Sequence, residues 1–251
     1  PAAPAGGDCS RSRAPVHCAE LESRHSQALS EGRRRLLLKD LLKKAFGSRG
    51  SAPADSAHRP AERQPGLPED PSAYARHSHG LEQFLANLAS EEPLQILDLG
   101  CVTQANVVYL TGLGHKLYSE ELLRSVDRGA PAEGAAQREI ESFLDQTLGY
   151  PEASFDGVLV WDALEFVPPV LLKPLVRRLQ YVSKPGAYLL TLFHADERAE
   201  LVPTYSYRIQ DGQTLMLARR QMRRPSQLFN NRAVERLFQD FQSVKFFLAR
   251  D

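Results

Sequence analysis

The chain has 251 residues, with 31 Lys and Arg balanced by 31 Asp and Glu, and 42% of its residues are hydrophobic. That length accommodates one α/β domain with a full core plus a tail. No apolar run reaches membrane-spanning length and no signal-like stretch lies near the start, so the sequence reads as unsecreted and cytoplasmic. Cys9, Cys18 and Cys101 form neither a disulfide framework nor a C-x-x-C zinc pair, and no metal is expected.

The zero net charge hides an asymmetry. Residues 1–60 carry eleven Lys/Arg against six Asp/Glu, and residues 215–251 carry eight against three. Residues 81–170 carry four against fifteen. Residues 1–28, rich in Ala, Pro, Gly, Ser and Arg, read as disordered. A basic amphipathic helix follows near residues 30–46, with Leu38, Leu41, Leu42 and Ala45 on one face and Lys and Arg opposite. Such a helix packs on its own domain or a partner, or makes weak contact with a membrane surface or acidic partner. Residues 48–72 read as a linker, which makes 1–72 a largely disordered basic tail and 73–251 the folded domain.

Within the domain, residues 80–89 show a helical apolar face of Leu81, Phe84, Leu85 and Leu88. The apolar run 95–99 is a buried strand that ends in an acid and a glycine turn, Asp98 and Gly100. A helix over 106–112 and a second strand over 115–119 come next. Residues 121–149 look helical, with no third strand in evidence. Residues 158–161 form a fourth strand, 170–182 a helix and 187–193 a fifth strand. The alternation on either side of Asp211-Gly212 marks an inserted β-hairpin over 203–218. A helix over 227–238 and a late strand over 243–248 complete the reading.

Three segments carry chemistry: Leu94 to Cys101 (LQILDLGC), Phe155 to Pro168 (FDGVLVWDALEFVP) and Tyr181 to Leu192. Their order and spacing resemble the first, fourth and fifth strands of class I S-adenosylmethionine-dependent methyltransferases. The resemblance covers residues 81–193 well and 225–251 loosely, and it implies a doubly wound, mostly parallel Rossmann-like sheet with helices on both faces. The family's glycine-rich loop survives only as Asp98 and Gly100, with Val102 and Gln104 at the later glycine positions. In this family the sheet ends with an antiparallel hairpin, of which only the first arm is visible before Asp251. Either the seventh strand is absent, or the 204–218 hairpin substitutes for it.

The resemblance implies a site for S-adenosylmethionine at the carboxyl ends of the strands. Asp98 would hold the loop or the cofactor's ammonium end. Gly100 would allow close backbone approach, and Cys101 would fill the turn as a small buried residue rather than act as a nucleophile. Glu120, at the end of the second strand with Glu121 beside it, offers two acceptor oxygens for ribose hydroxyls. Asp145 resembles the acid that reads the adenine amine. Asp162, at the fourth-strand exit, would face the cofactor's methionine end or the acceptor. Phe166 stands where many relatives have histidine, which removes one common base. His194, Tyr205 and Tyr207 could line the acceptor side.

The expected function is therefore methyl transfer to an unknown acceptor, with no particular catalytic residue. The alternative is a non-catalytic methyltransferase-like scaffold, favoured by a β-branched Val102 crowding the loop. A nicotinamide Rossmann site would want G-x-G-x-x-G, and neither a P-loop nor a nucleophile elbow is visible.

Overall fold

The computed structural model describes the backbone of residues 16–23 and residues 73–248. The expected basic helix near 30–46 and the linker over 48–72 lie outside the described residues. In chain order the elements are β1 (Val16–Ser23), β2 (Tyr74–His77), α1 (His79–Asn87), β3 (Gln95–Asp98), α2 (Gln104–Gly112) and β4 (Lys116–Ser119). Then come α3 (Leu122–Gly129), α4 (Gln137–Thr147), β5 (Phe155–Trp161), a single 3-10 turn (Ala163–Phe166), α5 (Pro169–Val182) and β6 (Ser183–His194). The last are β7 (Val202–Ile209), β8 (Thr214–Arg223), α6 (Asn231–Leu237) and β9 (Phe241–Leu248).

The main sheet runs β4-β3-β5-β6-β1-β9. β4, β3, β5 and β6 are mutually parallel, and β1 pairs antiparallel with both β6 and β9. Strand order reverses between β3 and β5, since the chain moves from β3 outward to β4 and then returns across β3 to β5. A crevice opens at the carboxyl ends of the strands at such a reversal.

Each strand sends alternate side chains to opposite faces. Leu97, Leu99, Val158, Val160, Leu189 and Phe193 face a core filled by α3, α4, α5 and α6 through Leu122, Val126, Ile140, Leu144, Leu175, Leu179, Val234 and Phe238. Ile96, Leu159, Trp161, Leu190 and Leu192 face the other side, where α1 and α2 bring Leu81, Phe84, Leu88 and Leu110. Burial on both faces explains why these strands are nearly uninterrupted apolar runs. The Rossmann-like architecture expected from the sequence is the one observed. Residues 121–149 form two helices and no third strand.

The hairpin is larger than expected. β7 and β8 join β2 in a three-stranded antiparallel sheet of order β2-β8-β7. Tyr205, Tyr207, Ile209, Leu215 and Leu217 supply a large part of the core on the α1–α2 side, so the hairpin is an integral layer.

The expectation of disorder through residues 1–28 fails at Val16–Ser23, which forms β1. The main chain of β6 would otherwise present an unpaired edge to β9, and β1 satisfies both, in register from Val16↔His194 and from His17↔Leu248. β1 thus stands at the position for which the sequence offered an absent strand or the hairpin.

Candidate active site

The turn after β3 is organised by Asp98. Its Oδ1 accepts from the backbone N–H of Gly100 at 2.9 Å and from the indole Nε1–H of Trp161 at 2.6 Å. Its Oδ2 accepts from the Asn106 side-chain amide at 3.4 Å. Asn106 is itself fixed, donating to the Tyr207 carbonyl at 3.0 Å and accepting from the Ile209 N–H at 2.8 Å. Burial pushes the Asp98 carboxyl pKa upward, against the pull of these three donors. Asp98 therefore ties β3, β5, α2 and β7 together.

Trp161 is the second organiser. It is buried, its φ is +56°, and its ring stacks on Tyr207 with centroids 5.1 Å apart. A bulky side chain in the left-handed region stores strain of order 1–3 kcal/mol, which surrounding contacts must hold. The Asp98 bond, the Tyr207 stack and the Thr191 hydroxyl, which donates to the Trp161 carbonyl at 2.9 Å, do so. The parallel register between β5 and β6 slips just here, between Leu159 and Trp161. Gly100 is needed for this packing, because a Cβ on it would lie 2.4 Å from Trp161 Cδ1. The sequence assigned its missing side chain to close ligand approach, whereas in the structure the indole takes that space.

The exit from β5 has a different character. Asp162 is buried, yet its Oδ2 has no hydrogen-bond partner among the described residues. The Tyr207 hydroxyl is close enough to interact with it, but it too lacks a hydrogen bond of good geometry. Burial pushes the Asp162 pKa up to about 6, against attraction from His194.

Behind Asp162 lies a buried Glu165–His194 pair. Glu165 Oε2 is 2.5 Å from His194 Nδ1, and Glu165 Oε1 accepts from the His194 backbone N–H at 2.9 Å. His194 Nε2 is 3.1 Å from the Pro203 carbonyl, which can only accept, so Nε2 carries a proton. Burial alone would lower the His194 pKa, but the Glu165 carboxylate outweighs it and the net shift is upward. The pair clamps the end of β6 to the 3-10 turn and to β7. His194 was a candidate to line the acceptor side, but both ring nitrogens are engaged in this clamp.

These elements enclose a cavity of about 620 Å³ at the carboxyl ends of β3 and β5, within the range of about 300–1,000 Å³ usual for small-ligand sites. Its walls include Leu99, Gly100, Cys101, Glu121, Trp161 and Asp162, with Thr204, Tyr205, Tyr207 and Arg220 from the hairpin. Of the expected site residues, Gly100, Cys101 and Asp162 meet here, and Asp98 stands one layer behind. The Arg220 guanidinium donates to Cys101 Sγ.

Glu120 does not line the cavity. It accepts from the Tyr150 hydroxyl at 2.8 Å beside the Tyr118–Tyr150–Phe155 cluster, and its neighbour Glu121 forms part of the wall instead. Asp145 also lies off the cavity, paired on the surface with Arg178 and 64% exposed. Val102 is half exposed and does not line the cavity.

A cavity at the strand-order reversal of a Rossmann-like sheet stands where doubly wound folds bind their ligands. A family model described as a methyltransferase domain matches residues 73–242. The chain belongs to this family, and with it to the class I methyltransferases, with the acceptor unknown. A solved structure from Burkholderia thailandensis, 1,6-didemethyltoxoflavin-N1-methyltransferase with bound 1,6-didemethyltoxoflavin and S-adenosylhomocysteine, is similar at 16% identity, covering 57% of this chain and 77% of its own, with a TM-score of 0.29. No curated protein matches the chain.

Proposed function

We propose that the chain transfers a methyl group from S-adenosylmethionine to an acceptor bound in this cavity. The observation that carries the reading is Asp162, which lines a ligand-sized cavity with a buried carboxylate oxygen that has no hydrogen bond of good geometry, only the neighbouring Tyr207 hydroxyl. Burying such an atom without a partner costs free energy, and a polar ligand group would offset that cost. The cofactor would supply an activated methyl on a sulfonium, so the protein's main task is to position the acceptor and exclude water.

The backbone at Gly100 and Cys101 would border the cofactor, and Glu121, which lines the cavity, would meet the ribose hydroxyls in place of Glu120. Trp161 and Tyr207 form a rigid aromatic wall. Asp162 would accept a hydrogen bond from the bound molecule, and with a pKa of about 6 it is charged at neutral pH. Where the acceptor loses a proton, that carboxylate is the group placed to take it. Among the described residues no helix is long and apolar enough to cross a membrane. A cytoplasmic setting accords with the unpaired Cys101 thiol.

Titration calorimetry with S-adenosylmethionine and S-adenosylhomocysteine tests the proposal. Binding of both is expected, weakened about tenfold or more by Glu121→Ala, the cost of a lost charged acceptor. Lack of binding to the unmutated chain would leave the scaffold reading in its place.

A further inference from the structure

A second cluster lies away from the cavity, at the corner where β2 turns into α1. His77 ends β2, Ser78 caps α1, and His79 and Glu82 stand one turn apart on that helix. One ligand atom from each of His77, His79 and Glu82 falls within 4.8 Å of the others. The two imidazole rings meet edge to face with centroids 4.4 Å apart, and His79 Nδ1 is 3.3 Å from Glu82 Oε2. His77 and His79 are exposed.

From this geometry we infer that His77, His79 and Glu82 form a binding site for a zinc-class divalent transition metal. Two imidazoles and one carboxylate are the donor set such ions take with three protein ligands and an open position. Donors bound at about 2.0–2.1 Å around a tetrahedral ion sit about 3.4 Å apart, so small rotations of exposed side chains close the remaining gap.

The backbone that carries the donors is already fixed. His77 is paired with Thr214 of β8, the Ser78 N–H donates to the Gln213 carbonyl at 2.8 Å, and the Ser78 side chain accepts from the Leu81 N–H. The site therefore needs little ordering on binding. The α1 N-terminus is electrostatically unfavourable for a cation. Glu82 opposes that effect, and so does Asp211 in the β7–β8 turn, whose charge reaches His77.

The position gives the site a role. Gln213 Oε1 lies 3.3 Å from His77 Nε2, and Gln213 belongs to the turn of the hairpin whose far end roofs the cavity. A metal held here, with Gln213 or water in the open position, would pin the hairpin turn to the β2–α1 corner. Calcium and magnesium, which prefer all-oxygen shells, would bind to it poorly. The expectation of no metal rested on the lack of cysteine pairs, a sign that a His-x-His-x-x-Glu run split between strand and helix does not carry.

The test is calorimetry of the full chain with Zn2+, together with the visible spectrum of the Co2+ form. One site is expected to weaken at least tenfold in the His77→Ala/His79→Ala double variant and in Glu82→Gln, which keeps the shape of the side chain. Mg2+ should not compete. The Co2+ spectrum should show the bands of nitrogen and oxygen ligation without thiolate charge transfer. Both variants alter exposed or partly exposed side chains, and their unfolding temperatures without metal should match that of the unmutated chain. Equal Zn2+ binding by the unmutated and double-variant chains, or a thiolate-dominated Co2+ spectrum, would overturn the assignment.

Discussion

Asp98 and Asp162 stand at the carboxyl ends of the neighbouring strands β3 and β5, and both are buried with raised carboxyl pKa values. Their surroundings differ. Asp98 accepts from three of the chain's own donors, whereas Asp162, which lines the cavity, has an oxygen with no hydrogen bond of good geometry. A buried acid with both oxygens bonded holds the fold, and one left short is poised for something the chain does not supply. The sequence offered Asp98 either the loop or the cofactor and Asp162 the cofactor or the acceptor, and in the structure Asp98 holds the loop.

Removing Asp98 should produce the largest effect. Asp98→Leu strands the Gly100 N–H, the Trp161 indole and the Asn106 amide, and should cost on the order of 3–5 kcal/mol in chemical denaturation. Asp98→Asn retains Oδ1 for two of those donors and turns an amide toward the fixed Asn106 amide, so it should cost less than the leucine variant. Equal losses would show that the Oδ1 bonds are unimportant.

Gly100→Ala comes next. The new methyl group would drive into Trp161, and overpacking of this kind costs typically 1–3 kcal/mol. Because Trp161 is the single tryptophan of the chain, its emission should shift in the variant as the Asp98 bond and the Tyr207 stack loosen. Unchanged emission would mean that the indole does not occupy the space beside Gly100.

The smallest effect should come from Asp145→Ala. A pair this exposed contributes roughly 0–1 kcal/mol, and the residue lies off the cavity, so S-adenosylhomocysteine affinity should be unaltered. A tenfold loss of affinity would restore the adenine role that the sequence pattern implied.

Much of this architecture is legible before any coordinates. The apolar runs ending at Asp98 and Trp161 announce parallel strands, and Asp211-Gly212 announces the hairpin, because buried strands and tight turns impose local composition. Two strands escaped. β2 has four residues and too little alternation to stand out, and β1 lies in a segment whose composition outweighs its pattern. The partners that decide each acid's role are remote as well: Trp161 is 63 residues from Asp98, and His194 is 29 from Glu165. No local period reports such pairings. The one available sign was Glu165 itself, a charge set inside the apolar run Ala163 to Val167.

The most direct test of the contrast is the thermal unfolding of Asp162→Asn beside the unmutated chain, with and without S-adenosylhomocysteine. A carboxyl whose folded pKa is raised from 3.8 to about 6 takes up its proton more readily when folded. Its contribution to stability therefore falls as pH rises from about 4 to about 6 and stays low above that. Asp162→Asn removes this penalty, so at neutral pH the variant without ligand should be more stable by on the order of 1–3 kcal/mol, with the gain vanishing near pH 4. Its ligand-induced rise in melting temperature should be smaller than that of the unmutated chain. A variant less stable at neutral pH, or one with an undiminished ligand-induced rise, would contradict the assignment of Asp162 to the ligand.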